Sequence, residues 1–365
     1  MTASLQNGHT EELKIKSSAK TIDSLQMIRG IAFLIVFIRH ATYICPGSLG
    51  VSLFFVLSSF VMVYSYWDRP PAVTLKGAGL FMVKKIKRLY PLHLIMLAVG
   101  VGLMVLEKFS VISILKRLAV TAALIQTWFP TTYNAVNSVS WYFSVCVLLY
   151  FLFPFILAHI KRTKSVSACV MRAVVLILMQ IAVGYFMCNI LHLQASWIAY
   201  RFPIYRIPDF YIGCSLAYIF KHFEGLKLGA VKASVLEFVA IILNVVTGIL
   251  YFRLSGWAHF MKFTCVYLPV SAFTIYVFAY GEGIFSKLLT NKVAMWLADI
   301  SAYSYLIHRL VINYLVYILN HLFGYDTPND VLVAIIAFAV TVALNYIYAA
   351  AERRIKARRR GRCAA

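Results

Sequence analysis

Apolar and polar residues occur along the chain in long blocks rather than in short stripes. Most apolar blocks approach about 20 residues, the length at which an α-helix crosses the hydrocarbon core of a bilayer. The pattern predicts an all-α protein, a polytopic bundle of transmembrane helices forming one membrane domain over residues 26–350. Eleven blocks can be drawn, at residues 26–44, 49–66, 89–106, 114–129, 139–158, 170–190, 203–220, 233–252, 260–280, 299–319 and 331–350.

The fourth block, 114–129, is the weakest predicted span, because it is short and carries Lys116 and Arg117. If it does not cross, about ten spans remain, both termini lie on one side, and the loops on that side hold most of the Lys and Arg residues. The positive-inside bias favours this arrangement, with residues 107–138 as an external or re-entrant element. Eleven crossings, or another weak block lying in the interface, are the alternatives.

The two ends of the chain are predicted to be cytoplasmic tails, at residues 1–25 and 351–365. The first tail is polar and has no short apolar core followed by a small-residue cleavage site, so it is not a signal peptide. The first apolar block is therefore expected to be a retained span. The second tail is strongly basic, which agrees with a cytoplasmic position.

The composition supports a membrane protein. Hydrophobic residues make up 62% of the chain and charged residues 13%, and the mean hydropathy is +0.80, which leaves too little polar surface for a soluble domain. The net charge of +22 lies mainly between apolar blocks and at the C-terminus, so we attribute it to membrane orientation rather than to nucleic-acid binding. The seven cysteines are scattered and predict neither a metal site nor a disulfide framework.

Two ionisable residues of the first block, Arg29 and His40, are the strongest candidates for chemistry. They are eleven positions apart, so on an α-helix they lie about 20° from each other on one face and roughly 16 Å apart along the axis. A histidine can exchange a proton near neutral pH, and an arginine can hold a phosphate or carboxylate with two hydrogen bonds. Pairing with other helices is the structural alternative.

Other polar residues inside the predicted spans are candidates for lining a cavity. Arg39 lies about 80° from Arg29 on a neighbouring face, and both Arg39 and Arg309 could instead reach the interface by snorkelling. The remaining cavity candidates are Arg206, Asp209, His308 and Ser144. Arg206 and Asp209 could instead form an ion pair across one helical turn, and His308 could be a buried histidine that serves packing.

A basic stretch, "FMVKKIKRLYPLH" at residues 81–93, precedes the third block on the predicted cytoplasmic side. Lys84, Lys85, Lys87 and Arg88 could orient the protein and contact lipid headgroups. The functional interpretation is a docking site for a cytoplasmic polyanion, such as a nucleotide-bearing acyl donor. The sequence has none of the Walker A, GxGxxG, HExxH or GxSxG motifs of common soluble enzymes.

Several stretches together resemble the acyltransferase-3 family of integral membrane acyltransferases, closest to its exopolysaccharide and O-antigen O-acetyltransferase branch. "SLQMIRGIAFLIVFIRH" is similar to the opening signature of that family, an Arg-Gly followed by a His eleven residues after the Arg. "GVSLFFVLSSFVM" and the basic stretch are similar to the next two elements. The segments "SWYFSVCVLLYFLFP", "YRIPDFYIGC" and "ISAYSYLIH" fit the later helices in order.

The resemblance implies ten core helices in the cytoplasmic membrane of a bacterium and transfer of an acyl group, usually acetyl, from acetyl-CoA or another acyl-CoA. The acceptor would be a sugar hydroxyl of an envelope glycan or its lipid-linked precursor. No cofactor, metal or nucleic acid is expected, and the partners are acyl-CoA, the glycan and membrane lipid. The chain is expected to end with the membrane unit. In this interpretation Arg29 holds the donor, and His40 acts as general base or briefly carries the acyl group.

Two positions depart from the family pattern. Ser59 stands where the family usually has glycine, and Cys146 where a carboxylate is common. Two other functions therefore stay open at this stage. A transporter or flippase of a lipid-linked saccharide would also need charges in the membrane, and a catalytically inactive relative could act as a scaffold.

Overall fold

The computed structural model describes residues 22–324 and 331–364, with the side chains of the last helix described up to residue 358. The described residues contain no β-strand, which confirms the predicted all-α fold. Short 3₁₀ and π turns join several of the helices. The helices are α1 (Asp23–Thr42), α2 (Gly47–Tyr66), α3 (Leu75–Ile86), α4 (Tyr90–Leu106), α5 (Val111–Ala122), α6 (Trp141–Lys161), α7 (Val166–Tyr185), α8 (Ala195–Ile198), α9 (Ile207–His222), α10 (Ala230–Arg253), α11 (Tyr267–Tyr280), α12 (Ile284–Leu289), α13 (Lys292–Phe323) and α14 (Val331–Ala364).

Eight helical segments of the described chain are long and apolar enough to cross a membrane. The pair α3 and α4, bent by 59°, is a ninth if both helices belong to one span. Helix α9 corresponds to the predicted span 203–220 but has 16 residues, about 24 Å at 1.5 Å per residue, which is short for a bilayer core. The ten predicted spans are thus represented by eight full-length segments, one bent pair and one short helix.

The weak fourth block does not form a span of its own. Helix α5 has 12 residues, so it is only about 18 Å long. The Tyr90 hydroxyl donates to the carbonyl of Ala122 at 3.0 Å, and a ring nitrogen of His93 lies 2.9 Å from the carbonyl oxygen of Thr121. These bonds tie α5 to α4 and favour the arrangement in which residues 107–138 do not cross.

The structure describes little of the predicted N-terminal tail and most of the predicted C-terminal tail. Of the tail predicted over residues 1–25, residues 1–21 lie outside the described residues, and residues 23–25 belong to the first turn of α1. At the other end, α14 continues as a helix to Ala364. The basic segment predicted as a tail from residue 351 is an extension of the last membrane helix.

A glycine allows α1 to pack closely against α13. A Cβ atom at Gly30 would lie 3.0 Å from the Cβ of Leu297 and 3.1 Å from the backbone nitrogen of Ala298. The two backbones therefore approach more closely than a larger residue would allow. This approach brings Nη2 of Arg29 within 2.7 Å of the Ala298 carbonyl, to which it donates.

The departure at Ser59 is accommodated by a glycine on the facing helix. Ser59 is fully buried in α2, and its hydroxyl donates to the Phe55 carbonyl at 2.9 Å. Gly213 of α9 lies opposite, where a Cβ would collide with the Ser59 hydroxyl and the Val56 carbonyl. The serine thus keeps both the close α2–α9 contact and a satisfied hydroxyl.

Helix α2 lies at the centre of the bundle, with most of its residues buried. Helices α7, α10 and α14 lie at the periphery and expose apolar side chains such as Leu178, Phe238 and Ile347. In a membrane protein these surfaces face lipid, so their exposure needs no protein partner.

Candidate active site

Helix α1 runs between two ends of the bundle that differ in chemistry. We call the end at which α1 begins, beside Lys85 and Arg88, the inner end. The end at which α1 finishes, beside His40, is the outer end. Arg29 lines a cavity at the inner end and His40 lines a cavity at the outer end, as the helical spacing of the two residues predicts.

His40 is bonded to a second histidine from α13. Its Nδ1 lies 2.8 Å from Nε2 of His308, and the two rings are stacked with centroids 5.1 Å apart. Nδ1 of His308 in turn lies 3.1 Å from the Ser304 carbonyl. His308 is fully buried and its ring contacts Phe33 and Phe37, so its position is fixed by packing.

The proton positions in this series of hydrogen bonds follow from the Ser304 carbonyl, the acceptor at its end. A carbonyl oxygen only accepts, so Nδ1 of neutral His308 carries the proton and Nε2 carries the lone pair. Nδ1 of His40 must then donate to that lone pair. In the neutral pair, Nε2 of His40 is therefore the unprotonated nitrogen, the form that a general base requires.

The outer cavity has a volume of about 260 Å³ and is both basic and aromatic. Arg39, Arg201 and Arg309 line it with His40. Arg39 lines the cavity from a neighbouring face of α1, because the cavity extends around the last turn of that helix. A second cavity, of about 690 Å³, lies on the other side of His40 and Arg309.

The inner cavity, of about 310 Å³, contains part of the predicted donor site. Arg29, Lys85 and Arg88 line it, and the buried Nε of Arg29 has no hydrogen-bond partner in the described protein. The ammonium group of Lys85 lies 4.6 Å from the centre of the Tyr66 ring. Lys84 and Lys87 are exposed and do not line the cavity.

A middle cavity of about 200 Å³ lies between the other two. It shares Arg29 and Lys85 with the inner cavity and Tyr305 with the outer cavity. Cys146 lines its wall. The three cavities therefore adjoin one another along α1, from the basic inner end to His40.

Cys146 stands where the resemblance leads us to expect a carboxylate, and its position shows whether that residue could contact His40. Cys146 faces the middle cavity, whereas the described side chain bonded to His40 is that of His308. In this chain the orientation of His40 is supplied by a histidine on α13, without a carboxylate at position 146.

The other polar candidates are engaged in packing. Arg206 and Asp209 form a fully buried ion pair at 3.1 Å, and Asp209 also accepts from Gln180 and Thr264, each at 2.8 Å. The Ser144 hydroxyl donates to the Leu124 carbonyl at 2.6 Å. Arg206, Asp209 and Ser144 do not line the inner, middle or outer cavity, so among the four candidates only His308 reaches His40.

Arg201 and Tyr305 are site residues that the sequence analysis missed. Arg201 follows the short helix α8 and lies outside every predicted span, so hydropathy gave no reason to select it. Tyr305 is one of 23 tyrosines, and its position between the middle and outer cavities depends on the packing of α13. Among the described residues, no group of three His, Cys, Asp or Glu side chains is placed to hold a metal ion.

Comparison with known proteins identifies a family that covers most of the chain and a relative that covers part of it. A family model described as "Acyltransferase domain" matches residues 22–350. Acyltransferase MdmB of Streptomyces mycarofaciens is 33% identical over 113 residues, which are 30% of this chain and 28% of MdmB. The match thus spans less than a third of either protein. No solved structure is significantly similar to the chain.

Proposed function

The chain belongs to the acyltransferase-3 family, and on that premise we propose that it is a membrane O-acyltransferase. It moves an acetyl group from acetyl-CoA to a sugar hydroxyl of a cell-envelope polysaccharide or its lipid-linked precursor. The observation that carries this proposal is the row of three adjoining cavities, with Arg29 and Lys85 at one end and the unprotonated Nε2 of His40 at the other. Acetyl-CoA is a substrate of this reaction, and no resident cofactor is involved.

The inner cavity is suited to the phosphate groups of the donor. Arg29, Lys85 and Arg88 offer charged donors, and charge-assisted hydrogen bonds to phosphate are among the stronger ones in proteins. The pantetheine arm would extend through the middle cavity past Cys146 and Tyr305. The thioester would then lie beside His40.

The chemistry at the outer end needs one proton acceptor. Nε2 of His40 takes the proton of the sugar hydroxyl while the hydroxyl oxygen attacks the thioester carbonyl carbon. The carbon–sulfur bond breaks, the coenzyme A thiolate leaves, and the proton passes from His40 to that sulfur. A route through an acetyl group held briefly on His40 uses the same atoms in two steps.

We place the protein in the cytoplasmic membrane of a bacterium, with the inner end towards the cytoplasm and both termini on that side. The basic stretch 84–88 and the basic part of α14 support this orientation through the positive-inside rule. The donor then comes from the cytoplasm and the glycan from the opposite side. Membrane lipid surrounds the apolar outer faces of α7, α10 and α14.

The proposal is tested by the release of coenzyme A from acetyl-CoA by the purified full-length protein, with water in the place of the sugar hydroxyl. Replacing Lys85 and Arg88 together by glutamine should raise the KM for acetyl-CoA about tenfold or more, since a hydrogen bond to a charged group contributes about 1.5 kcal/mol or more. The ratio of the KM of the variant to that of the unchanged protein should fall at high salt, because ions then screen the attraction that Lys85 and Arg88 exert in the unchanged protein. The double variant Lys84→Gln and Lys87→Gln, which removes two exposed charges outside the cavity, should leave the KM nearly unchanged.

Two results would contradict this scheme. Equal KM values for the two double variants would leave Lys85 and Arg88 with an orienting role only. A rate of coenzyme A release no higher than in the absence of protein would favour the transporter or the scaffold.

The proposed orientation is tested by single cysteines in a cysteine-free background. Cysteines at the exposed positions Lys76 and Lys164 should resist an impermeant thiol reagent in intact cells, and cysteines at Lys108 and Arg253 should react. The reason is that Lys76 and Lys164 lie at the inner end and the other two at the outer end. Labelling at Lys164 with protection at Arg253 would instead support a crossing by residues 114–129.

A further inference from the structure

The outer cavity concentrates positive charge that no described residue neutralises. Arg39, Arg201 and Arg309 line it, and none of them forms a salt bridge among the described residues. No Asp or Glu side chain of the described segments lines it either. The acidic residues 326 and 330 lie outside the described part of the chain.

Membrane orientation does not explain these arginines. They lie at the outer end, where the positive-inside rule disfavours Lys and Arg. An arginine at membrane depth is also costly on insertion scales unless it is paired. Arg39 and Arg309 lie within predicted spans, and Arg201 joins them at the same cavity from a loop. The three positive charges together indicate a compensating negative charge.

The guanidinium groups keep hydrogen-bonding capacity beyond their protein contacts. Nη1 of Arg201 donates to the Ser196 carbonyl at 2.7 Å, and Nη1 of Arg309 donates to the His40 carbonyl at 3.2 Å. The Nε atoms of Arg201 and Arg309 are buried without a partner in the described protein. A buried unpaired donor is costly, so a ligand oxygen at each would be favourable.

The aromatic side chains in and beside the cavity wall hold the arginine side chains in place and offer flat surfaces to a sugar ring. Arg201 lies over the ring of Tyr133 at 4.8 Å and over that of Tyr200 at 5.0 Å. Trp141 and Tyr251 also line the cavity. Amphipathic aromatic side chains present apolar faces together with polar edges, a combination that fits a sugar ring with hydroxyl groups.

We infer that the outer cavity binds an acceptor that carries an anionic group close to the hydroxyl that is acylated. The inference rests on the proposed function for the transfer itself and adds the chemical class of the acceptor. The anion is a carboxylate, as in a uronic acid, or a diphosphate, as in a lipid-linked sugar. Because Arg309 donates to the His40 backbone, an anion held by Arg309 and Arg201 brings the neighbouring sugar hydroxyl towards the His40 ring.

The test measures binding of three probes to the full-length protein in phosphatidylcholine nanodiscs, which supply no anionic lipid. Sodium pyrophosphate, sodium glucuronate and glucose are titrated calorimetrically in the presence of saturating coenzyme A, which occupies the inner cavity. Glucose is the uncharged control for glucuronate, because it has a hydroxymethyl group in place of the carboxylate. At least one anion should bind at least about tenfold more tightly than glucose, the factor that corresponds to about 1.4 kcal/mol.

Separate replacements of Arg201 and Arg309 by glutamine should each weaken binding of that anion about tenfold, whereas Arg253→Gln should not. Arg253 is an exposed cation at the same end that does not line the cavity. Thermal unfolding of each variant shows that it is folded. Binding of pyrophosphate alone identifies the diphosphate class, and binding of glucuronate alone the carboxylate class.

The inference is overturned if no anion binds better than glucose, or if binding survives unchanged in both arginine variants. Failure of the proposed function is a different result, namely the absence of coenzyme A release in the donor assay. The two assays therefore fail independently.

Discussion

The variant His40→Ala should lose acyl transfer by a factor of about 10² to 10⁴, the range over which a positioned general base contributes. The physical reason is that no other described ring nitrogen in the outer cavity can take the hydroxyl proton, since His308 is buried behind His40. The route through an acetylated histidine fails equally. The measurement is transfer of labelled acetyl from acetyl-CoA in membranes containing equal amounts of each variant.

A matched control separates this loss from misfolding. His222→Ala, an exposed histidine at the end of α9, should retain full activity. His308→Phe keeps an aromatic ring between Phe33 and Phe37 but removes the acceptor for Nδ1 of His40. It should lower kcat with little change in the KM for acetyl-CoA, because His308 positions the base and touches no substrate. Normal transfer by His40→Ala at wild-type abundance would disprove the catalytic assignment.

The variant Arg29→Lys should lower kcat/KM for acetyl-CoA by about 10², although the charge is kept, because a hydrogen bond to a charged group contributes up to about 3 kcal/mol. Nη2 of Arg29 already donates to the Ala298 carbonyl at 2.7 Å, and its buried Nε remains available. The guanidinium can therefore hold α13 and a phosphate oxygen at the same time. A lysine ammonium is a single point of attachment and lacks the planar fork. Steady-state kinetics with acetyl-CoA as the varied substrate measure the effect.

Arg29 also ties α1 to α13, so stability is measured in parallel. Loss of the bond to Ala298 should cost about 1.5 to 3 kcal/mol, the usual range for a hydrogen bond from a charged group. Arg88→Lys is the companion variant, because Arg88 is exposed and a lysine can replace its charge; its kinetic change should be far smaller. If Arg29→Lys uses acetyl-CoA normally, the donor is held elsewhere.

Much of the fold could be predicted from local sequence. Apolar blocks about 20 residues long predict helices in a membrane whatever their neighbours, because backbone groups must be satisfied within each segment. The failure of residues 114–129 to form a span follows from the short block and from Lys116 and Arg117. The shared face of Arg29 and His40 follows from the helical period alone.

Other features depended on how the helices meet. The sequence did not distinguish Lys85 and Arg88 from Lys84 and Lys87, because all four lie in one basic stretch. The bend between α3 and α4 and the packing of α3 turn only the first two towards the inner cavity. Similarly, Ser144 and Asp209 are as polar as any candidate, yet each bonds to groups that packing brings next to it.

Hydropathy and helical period thus determined the spans of this protein and the face of α1 that carries Arg29 and His40. Only the tertiary structure joined His40 to His308, which is 268 positions away, and brought Arg201 from a loop beside Arg39 and Arg309. The reason is physical. Helix period and membrane insertion are properties of one segment, whereas the partner of a helix depends on side-chain fit, such as the space that Gly30 leaves for α13.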